Sequence, residues 1–176
     1  MLPDNLKALN YHEWSQEEWE DYNVRVCIPD DEAKKQFYRQ VIFDHFEHHN
    51  DHYPEFNVDD YDYEIKKLSV SYVRDNIGFF RGESLADIWV LQFDQFEAKD
   101  FSYSIYQSMA KDKTPPFPTV VIDSAKRIDS DWRVYGRPLH LIEGTHRTSY
   151  LLRMAQRGII SWKSEHDFVY LTPKIA

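Results

Sequence analysis

The last 60 residues constrain the fold most, because strand and helix patterns alternate there over short distances. Three segments are predicted to form strands: TPPFPTVVID (114–123), a proline-led entry into a buried strand at Val120 to Ile122, PLHLIEG (138–144) and HDFVYLTP (166–173). Between the second and third segments, THRTSYLLRMAQRG (145–158) carries apolar residues at helical spacing, and its Gly158 suits the end of that helix. The order strand, strand, helix, strand predicts an α/β protein with a mixed sheet.

Residues 1–60 predict a helical extension that packs on the domain formed by residues 61–176. The run 29–54 begins with acidic residues and carries apolar side chains at helical spacing, which predicts the longest helix of the chain. Residues 23–28 alternate polar and apolar side chains and favour a short strand, and residues 63–76 favour a strand that runs into a turn. Two further helices are predicted at 84–96 and 101–113.

The net charge of −9 argues against a general affinity for phosphate backbones, so DNA binding is not expected. A local basic pocket is still compatible with this charge, because Lys and Arg residues gather between 126 and 157 while acids dominate the first hundred residues. A small anionic ligand therefore stays among the ligands that the composition allows.

The single cysteine, Cys27, excludes an internal disulfide and fits a reducing compartment. It lies between Val26 and Ile28 and is predicted to be a small buried hydrophobe. No apolar run approaches the roughly 20 residues that span a bilayer, and the N-terminus lacks the features of a signal peptide. The sequence therefore predicts a cytoplasmic protein with no membrane partner.

The sequence EGTHR lies at the junction between the second predicted strand and the predicted helix. Gly144 permits close approach to the backbone, and the amides of Thr145, His146 and Arg147 would have no acceptor within the helix. Such a helix start attracts anions through its free amides and its dipole, and Arg147 adds a fixed positive charge. The pattern predicts a turn that handles phosphate.

The side chains of this turn also suggest chemistry. His146 can transfer a proton near neutral pH, and Glu143 can accept a proton, bind a metal ion or orient His146. Thr145 can cap the helix or bind phosphate through its hydroxyl. A simpler alternative stays open, in which Glu143 and Arg147 form an ion pair across the turn and Thr145 is an ordinary cap.

Three segments of the C-terminal half resemble the ParB/sulfiredoxin-like superfamily: PPFPTVVI, IEGTHRTSYLLRM and FVYL. The ParB-like nuclease and kinase branches carry Asp-Gly-His-His-Arg at this junction, where the present chain has Glu143 and Thr145 as replacements. KKLSVSYVRDN followed by FFRG is similar to the first strand and the Arg-bearing loop of the family, which would place Arg81 near the site. The resemblance covers residues 115–172 and 64–82 and nothing before them.

The resemblance implies a protein that binds a nucleotide phosphate at the helix start and acts as a phosphotransferase or NTP hydrolase. Glu143 and His146 would be catalytic, and Mg²⁺ with ATP, ADP or CTP would be the cofactors. Asp123 and Glu143, which both end predicted strands, would bind the metal. Reduction of cysteine sulfinate is excluded, because Thr145 stands where sulfiredoxins carry their nucleophilic cysteine. The implied phosphate- or nucleotide-binding residues are Gly144, Thr145, Arg147, Thr148 and Arg81.

Four histidines lie on one predicted helix, at His45, His48, His49 and His52. The i,i+4 pairs among them have the spacing of metal ligands. A metalloprotease would carry Glu directly after the first histidine of such a pair, and Phe46 occupies that position. The pattern therefore favours a polar helix end over a metal site.

The acidic aromatic segment YHEWSQEEWEDY suggests a function of a different class. Its face could bind a basic protein partner, which would make the chain a non-catalytic binding, immunity-type or regulatory module. Core packing of Trp14 and Trp19 beneath a solvated acidic face is the favoured interpretation of this segment. Nucleotide binding would distinguish the enzyme from such a module.

Overall fold

A mixed sheet forms the centre of the computed structural model, which describes residues 2–79, 84–124 and 138–174. The strands in these ranges are β1 (Tyr61–Ser69), β2 (Ile77–Gly78), β3 (Thr119–Asp123), β4 (Leu139–Glu143) and β5 (Glu165–Pro173). Their order in the sheet is β1-β5-β3-β4-β2. The β1/β5 and β3/β4 pairs are antiparallel, whereas the β3/β5 and β2/β4 pairs are parallel. The predicted α/β class with a mixed sheet is confirmed.

Helices cover both faces of this sheet. In the described ranges the α-helices are α1 (Trp19–Val26), α2 (Glu32–Phe37), α3 (Phe46–His52), α4 (Val70–Asn76), α5 (Ser84–Lys99), α6 (Ser104–Asp112) and α7 (Thr145–Gln156). A π-helical segment, Tyr38–Phe43, continues α2 towards α3. Side-chain caps start two of the helices, since Asp31 accepts a hydrogen bond from the amide of Lys34 and Ser69 accepts one from the amide of Tyr72.

The elements after residue 84 agree with the sequence prediction, and those before it differ in three places. Residues 23–28, predicted as a strand, belong largely to α1, because their alternation reflects an exposed Val24 and not a sheet face. The predicted helix 29–54 is divided into α2, the π-helical segment and α3. The four consecutive residues Gln40–Phe43 are buried because the segment is covered from two sides: Val41 and Ile42 join the core against the sheet, and Phe43 packs with Tyr22 of α1. The turn predicted within 63–76 is the helix α4.

Two hydrophobic cores lie on opposite faces of the sheet. One contains side chains of α2, the π-helical segment and α3 packed on Val120, Ile122 and Leu171. The other contains α4, α5, α6 and α7 packed on Val121 and Phe168. Successive residues of β3 alternate between the two cores, which is why the whole strand is buried. Residues before 61 therefore share a core with the sheet, and their description as a separate extension stays a prediction.

Two predictions about single residues are wrong. Trp14 is fully exposed and does not pack in a core, whereas Trp19 stacks on Tyr22 with ring centroids 5.6 Å apart. Cys27 is exposed at the end of α1, because its left-handed backbone (φ 56°) terminates the helix and turns the thiol outwards. Within the described ranges, every helix is too short or too polar to cross a bilayer.

Helix α7 is held against α5 by ion pairs. The guanidinium of Arg153 bonds the carboxylate of Asp94, and Arg157 bridges Asp94 at 3.1 Å and Glu97 at 2.7 Å. Its buried face includes Tyr150, which donates a hydrogen bond to Gln92 of α5 at 2.7 Å. These contacts hold the middle and the C-terminal end of α7 against α5, while Gly144 connects its start to β4.

Candidate functional site

Gly144 joins β4 to α7 in a conformation that requires glycine. Its φ is +105° and its ψ is 33°, a combination that L-residues rarely adopt. A Cβ at this position would lie 2.8 Å from Cγ2 of Thr119 and 2.9 Å from Nη2 of Arg147. Glycine therefore allows both the sharp turn and the close packing of these two side chains against it.

The first turn of α7 presents free amides. The amide of Thr148 donates the first hydrogen bond of the helix, to the carbonyl oxygen of Gly144 at 2.9 Å. Among the described residues, the amides of Thr145, His146 and Arg147 have no hydrogen-bond acceptor, and Gly144 provides no side-chain cap. The donors and the dipole that the sequence predicts are thus present at this end of α7.

The guanidinium of Arg147 is buried behind the turn and does not project as an open fork. Its side chain is 3% exposed, and its Nη2 lies 3.5 Å from Oε1 of Glu143. The guanidinium carbon lies 5.6 Å from the ring centroid of Phe117, and Nε has no hydrogen-bond partner among the described residues. Burial lowers the pKa of Arg147 and the nearby Glu143 raises it, but an arginine keeps its proton in either case. The ion pair considered from the sequence forms, and one donor atom of the buried cation stays unpaired.

A cavity of about 480 Å³ opens at this turn. It is lined by every residue of the EGTHR sequence, by apolar and aromatic side chains, and by two histidines of the N-terminal region. The lining residues are His45, His48, Tyr53, Phe79, Trp89, Tyr103, Ile105, Leu141, Ile142, Glu143, Gly144, Thr145, His146 and Arg147. The volume lies in the range of about 300–1,000 Å³ that is usual for small-molecule sites.

His146 lies between two aromatic side chains of the cavity. Its ring centroid is 4.1 Å from that of Trp89 and 5.5 Å from that of Tyr103. Burial, and then the charge of Arg147, lowers the pKa of His146. The imidazole is therefore neutral at pH 7 and can accept a proton.

The histidine cluster divides between the cavity and the core. His45 and His48 line the cavity, and His48 also stacks on His52 with ring centroids 4.1 Å apart. His49 instead points into the core, where it is 2% exposed and meets the ring of Phe56 edge to face. The sequence favoured a solvated helix end for all four residues, so the contribution of His45 and His48 to the site was missed. Their spacing indicated only that they share a helix, and nothing in it indicated the distant turn.

Two of the predicted site residues, Thr148 and Asp123, do not come together with this turn, and a third lies outside the described residues. Thr148 is fully buried and does not line the cavity, because it follows the first turn of α7 into the core. Asp123 lies opposite Leu139, whereas Glu143 lies opposite Val120 at the other end of the β3/β4 pair. Arg81 lies outside the described residues.

The paired metal ligands Asp123 and Glu143 do not fit one magnesium ion. At about 3.3 Å per residue, the three-residue offset separates them by roughly 10 Å along the strands. Mg²⁺ requires its oxygen ligands at about 2.1 Å. Asp123 and Glu143 are separated because β3 and β4 run antiparallel, which places the carboxyl ends of the two strands at opposite ends of the pair. Among the described residues, no group of three His, Cys, Asp or Glu side chains could hold a metal ion.

Comparison of the chain with models of known protein families, with curated proteins and with solved structures gives no match. The function of the cavity therefore has to be inferred from its geometry and chemistry.

Proposed function

We propose that the cavity binds the phosphate groups of a nucleotide, as the resemblance of residues 115–172 to the ParB/sulfiredoxin-like superfamily implies. The observation that carries this proposal is the start of α7, where three amides without acceptors and the buried Arg147 border one cavity. Free amides at a helix start combine hydrogen-bond donors with a positive dipole end. An anion bound there would occupy donors that water otherwise has to satisfy.

The position of Glu143 determines how the phosphate would be bound. Its carboxylate offsets part of the charge of Arg147, and the guanidinium is too buried to grip an anion with two nitrogens. The phosphate would therefore be bound mainly by the amides of Thr145 and His146 and by the hydroxyl of Thr145. Arg147 would act as a fixed positive charge close behind them.

The same turn supports hydrolysis of a nucleoside triphosphate. A water oxygen would form a bond to the terminal phosphorus while the bridging P–O bond breaks and the diphosphate leaves. The neutral imidazole of His146 would take the proton that the water releases. Phosphotransfer differs only in that a hydroxyl of an acceptor replaces the water. Mg²⁺ with ATP, ADP or CTP stays a prediction, and no step here depends on a metal.

The variant Thr145→Asp tests the proposal without disturbing the fold. A carboxylate in the first turn of α7 should stabilise the helix by about 0.3–1 kcal/mol and should repel phosphate. Wild-type protein with a nucleotide at about 100 times its Kd should gain about 2.7 kcal/mol of stability, a rise in Tm of roughly 5–10 °C. We expect Thr145→Asp to lose this rise in thermal-shift assays with ATP, ADP and CTP.

Thr145→Asn is the matched control, because it has nearly the same shape as the aspartate variant and carries no charge. It should keep most of the shift. Equal losses in the two variants, or no shift of the wild type with any of the three nucleotides at millimolar concentration, would contradict phosphate binding at this turn.

A second candidate function is recognition of a basic protein partner by the N-terminal region. The observation that favours it is the full exposure of Trp14 within an acidic segment, together with the exposed side chain of Leu9 in the same N-terminal region. An exposed Trp is a common centre of protein interfaces. This function would require no nucleotide, so a wild type that binds none of the three would favour it.

A further inference from the structure

The cavity has an aromatic wall beside the free amides of α7. The wall is defined by Trp89 of α5 and Tyr103, which precedes α6. Both rings contact the ring of His146, the second residue of α7, and both line the cavity. An aromatic surface therefore contacts the first turn of α7, whose free amides are the proposed anion-binding donors.

The two residues of the wall relate differently to the hydrophobic core. Phe93 follows Trp89 by one helical turn of α5 and is fully buried against Tyr106 and Tyr150. Tyr103 packs at the outer edge of that cluster, whereas Trp89 is not part of it, and both side chains are only partly buried. The indole of Trp89 therefore lines the cavity and contacts His146 without belonging to this core cluster.

We infer that the aromatic wall stacks the base of the nucleotide, so that the ligand is an intact nucleotide and not inorganic phosphate or polyphosphate. This inference rests on the proposed function. The phosphates would bind the amides at the start of α7, the base would stack on the wall, and the ribose would lie between them beside His146. Stacking on an aromatic ring suits every base, since each base has a π face, and it discriminates little between purines and pyrimidines.

Calorimetric titration of the 176-residue chain with ATP, CTP and inorganic tripolyphosphate tests the inference at one fixed Mg²⁺ concentration. One stacked base should make both nucleotides bind roughly 5- to 150-fold more tightly than tripolyphosphate. Trp89→Ala should remove this advantage and leave the affinity for tripolyphosphate unchanged. Trp89→Phe keeps an aromatic face and should retain most of it.

Trp162→Phe provides the control, because Trp162 lies against Arg74 and does not line the cavity. It should bind all three ligands as the wild type does. Nucleotide binding should also quench tryptophan fluorescence in the wild type and in Trp162→Phe, and the Trp89→Phe variant should lose that quenching.

Two outcomes would overturn the inference while the proposed phosphate site stands. In the first, tripolyphosphate binds as tightly as ATP and CTP. In the second, Trp89→Ala weakens tripolyphosphate as much as the nucleotides, which would show that Trp89 only supports His146. A wild type that binds neither nucleotides nor tripolyphosphate would overturn the inference together with the proposed function.

Discussion

Replacing Gly144 by alanine should lower the free energy of unfolding by about 2–6 kcal/mol. Two effects contribute: the strained backbone conformation and the contacts of the added Cβ. The backbone φ of +105° is one that an L-residue adopts at a cost of about 1–3 kcal/mol. The new Cβ would also lie 2.8 Å from Cγ2 of Thr119. The best separation of two carbons is about 3.5–4.0 Å, and relief of such overpacking costs roughly 1–3 kcal/mol.

Gly158→Ala separates the two costs. Gly158 has a φ of +70°, and no atom lies within 4 Å of the position of its added Cβ. Its replacement therefore carries only the conformational cost, about 1 kcal/mol or a fall in Tm of roughly 2–4 °C. Gly144→Ala should lower Tm by roughly 5–20 °C on the same scale. Urea denaturation followed by far-ultraviolet circular dichroism measures both variants under identical conditions.

The variant Thr119→Ser identifies the source of the larger cost. It removes the methyl group that the new Cβ would meet, so Gly144→Ala should be less destabilising in a Thr119→Ser background than in the wild type. Falls of equal size for Gly144→Ala and Gly158→Ala would refute the reasoning. Thr119 and Arg147 would then not pack against Gly144, and the geometry of the anion site would be wrong.

Two further predictions concern His49, which is buried in the core, and His146, which lines the cavity. Burial lowers the pKa of His49 in the folded protein to about 3, whereas the unfolded chain has an ordinary value near 6.5. Below about pH 6.5 the unfolded chain therefore binds a proton at His49 that the folded protein does not bind. The free energy of unfolding should consequently fall by about 2 kcal/mol between pH 7.5 and 5.0. Denaturation at the two pH values should show a smaller loss for His49→Leu, and an equal loss would contradict the assignment. His146→Ala should slow nucleotide turnover, measured as phosphate release, more than it weakens nucleotide binding, and equal losses would exclude proton transfer by His146.

The parts of the site that lie close together in the sequence could be predicted from it. An apolar run, a glycine and a helical pattern specify a strand that turns into a helix, and the free amides follow from the helix start alone. Gly144, Thr145 and His146 lie at this junction and line the cavity, whereas their roles in phosphate binding and catalysis stay predictions. The buried state of Arg147 could not be predicted, because it depends on Phe117, which precedes β3.

The errors before residue 84 share a physical origin. Alternating or helical patterns report which side chains are apolar, but whether they are buried depends on the elements that pack against them. The exposed Val24 produced a false strand pattern, and the run Gln40–Phe43 is buried between two hydrophobic clusters that its local pattern does not indicate. The amphipathic pattern around Trp14 and Trp19 predicted core packing for both, but no element covers Trp14 among the described residues.

By itself the sequence determined the α/β class, the strand–turn–helix around Gly144 and the free amides at the start of that helix, because these depend on neighbours along the chain. Only the tertiary structure decided what surrounds the turn. Antiparallel pairing of β3 with β4 separated Asp123 from Glu143, and packing of the N-terminal region on the sheet brought His48 to the cavity. Contacts between residues about a hundred positions apart form when whole faces of helices and sheets are buried against each other. A local sequence pattern does not indicate which of these faces pack together.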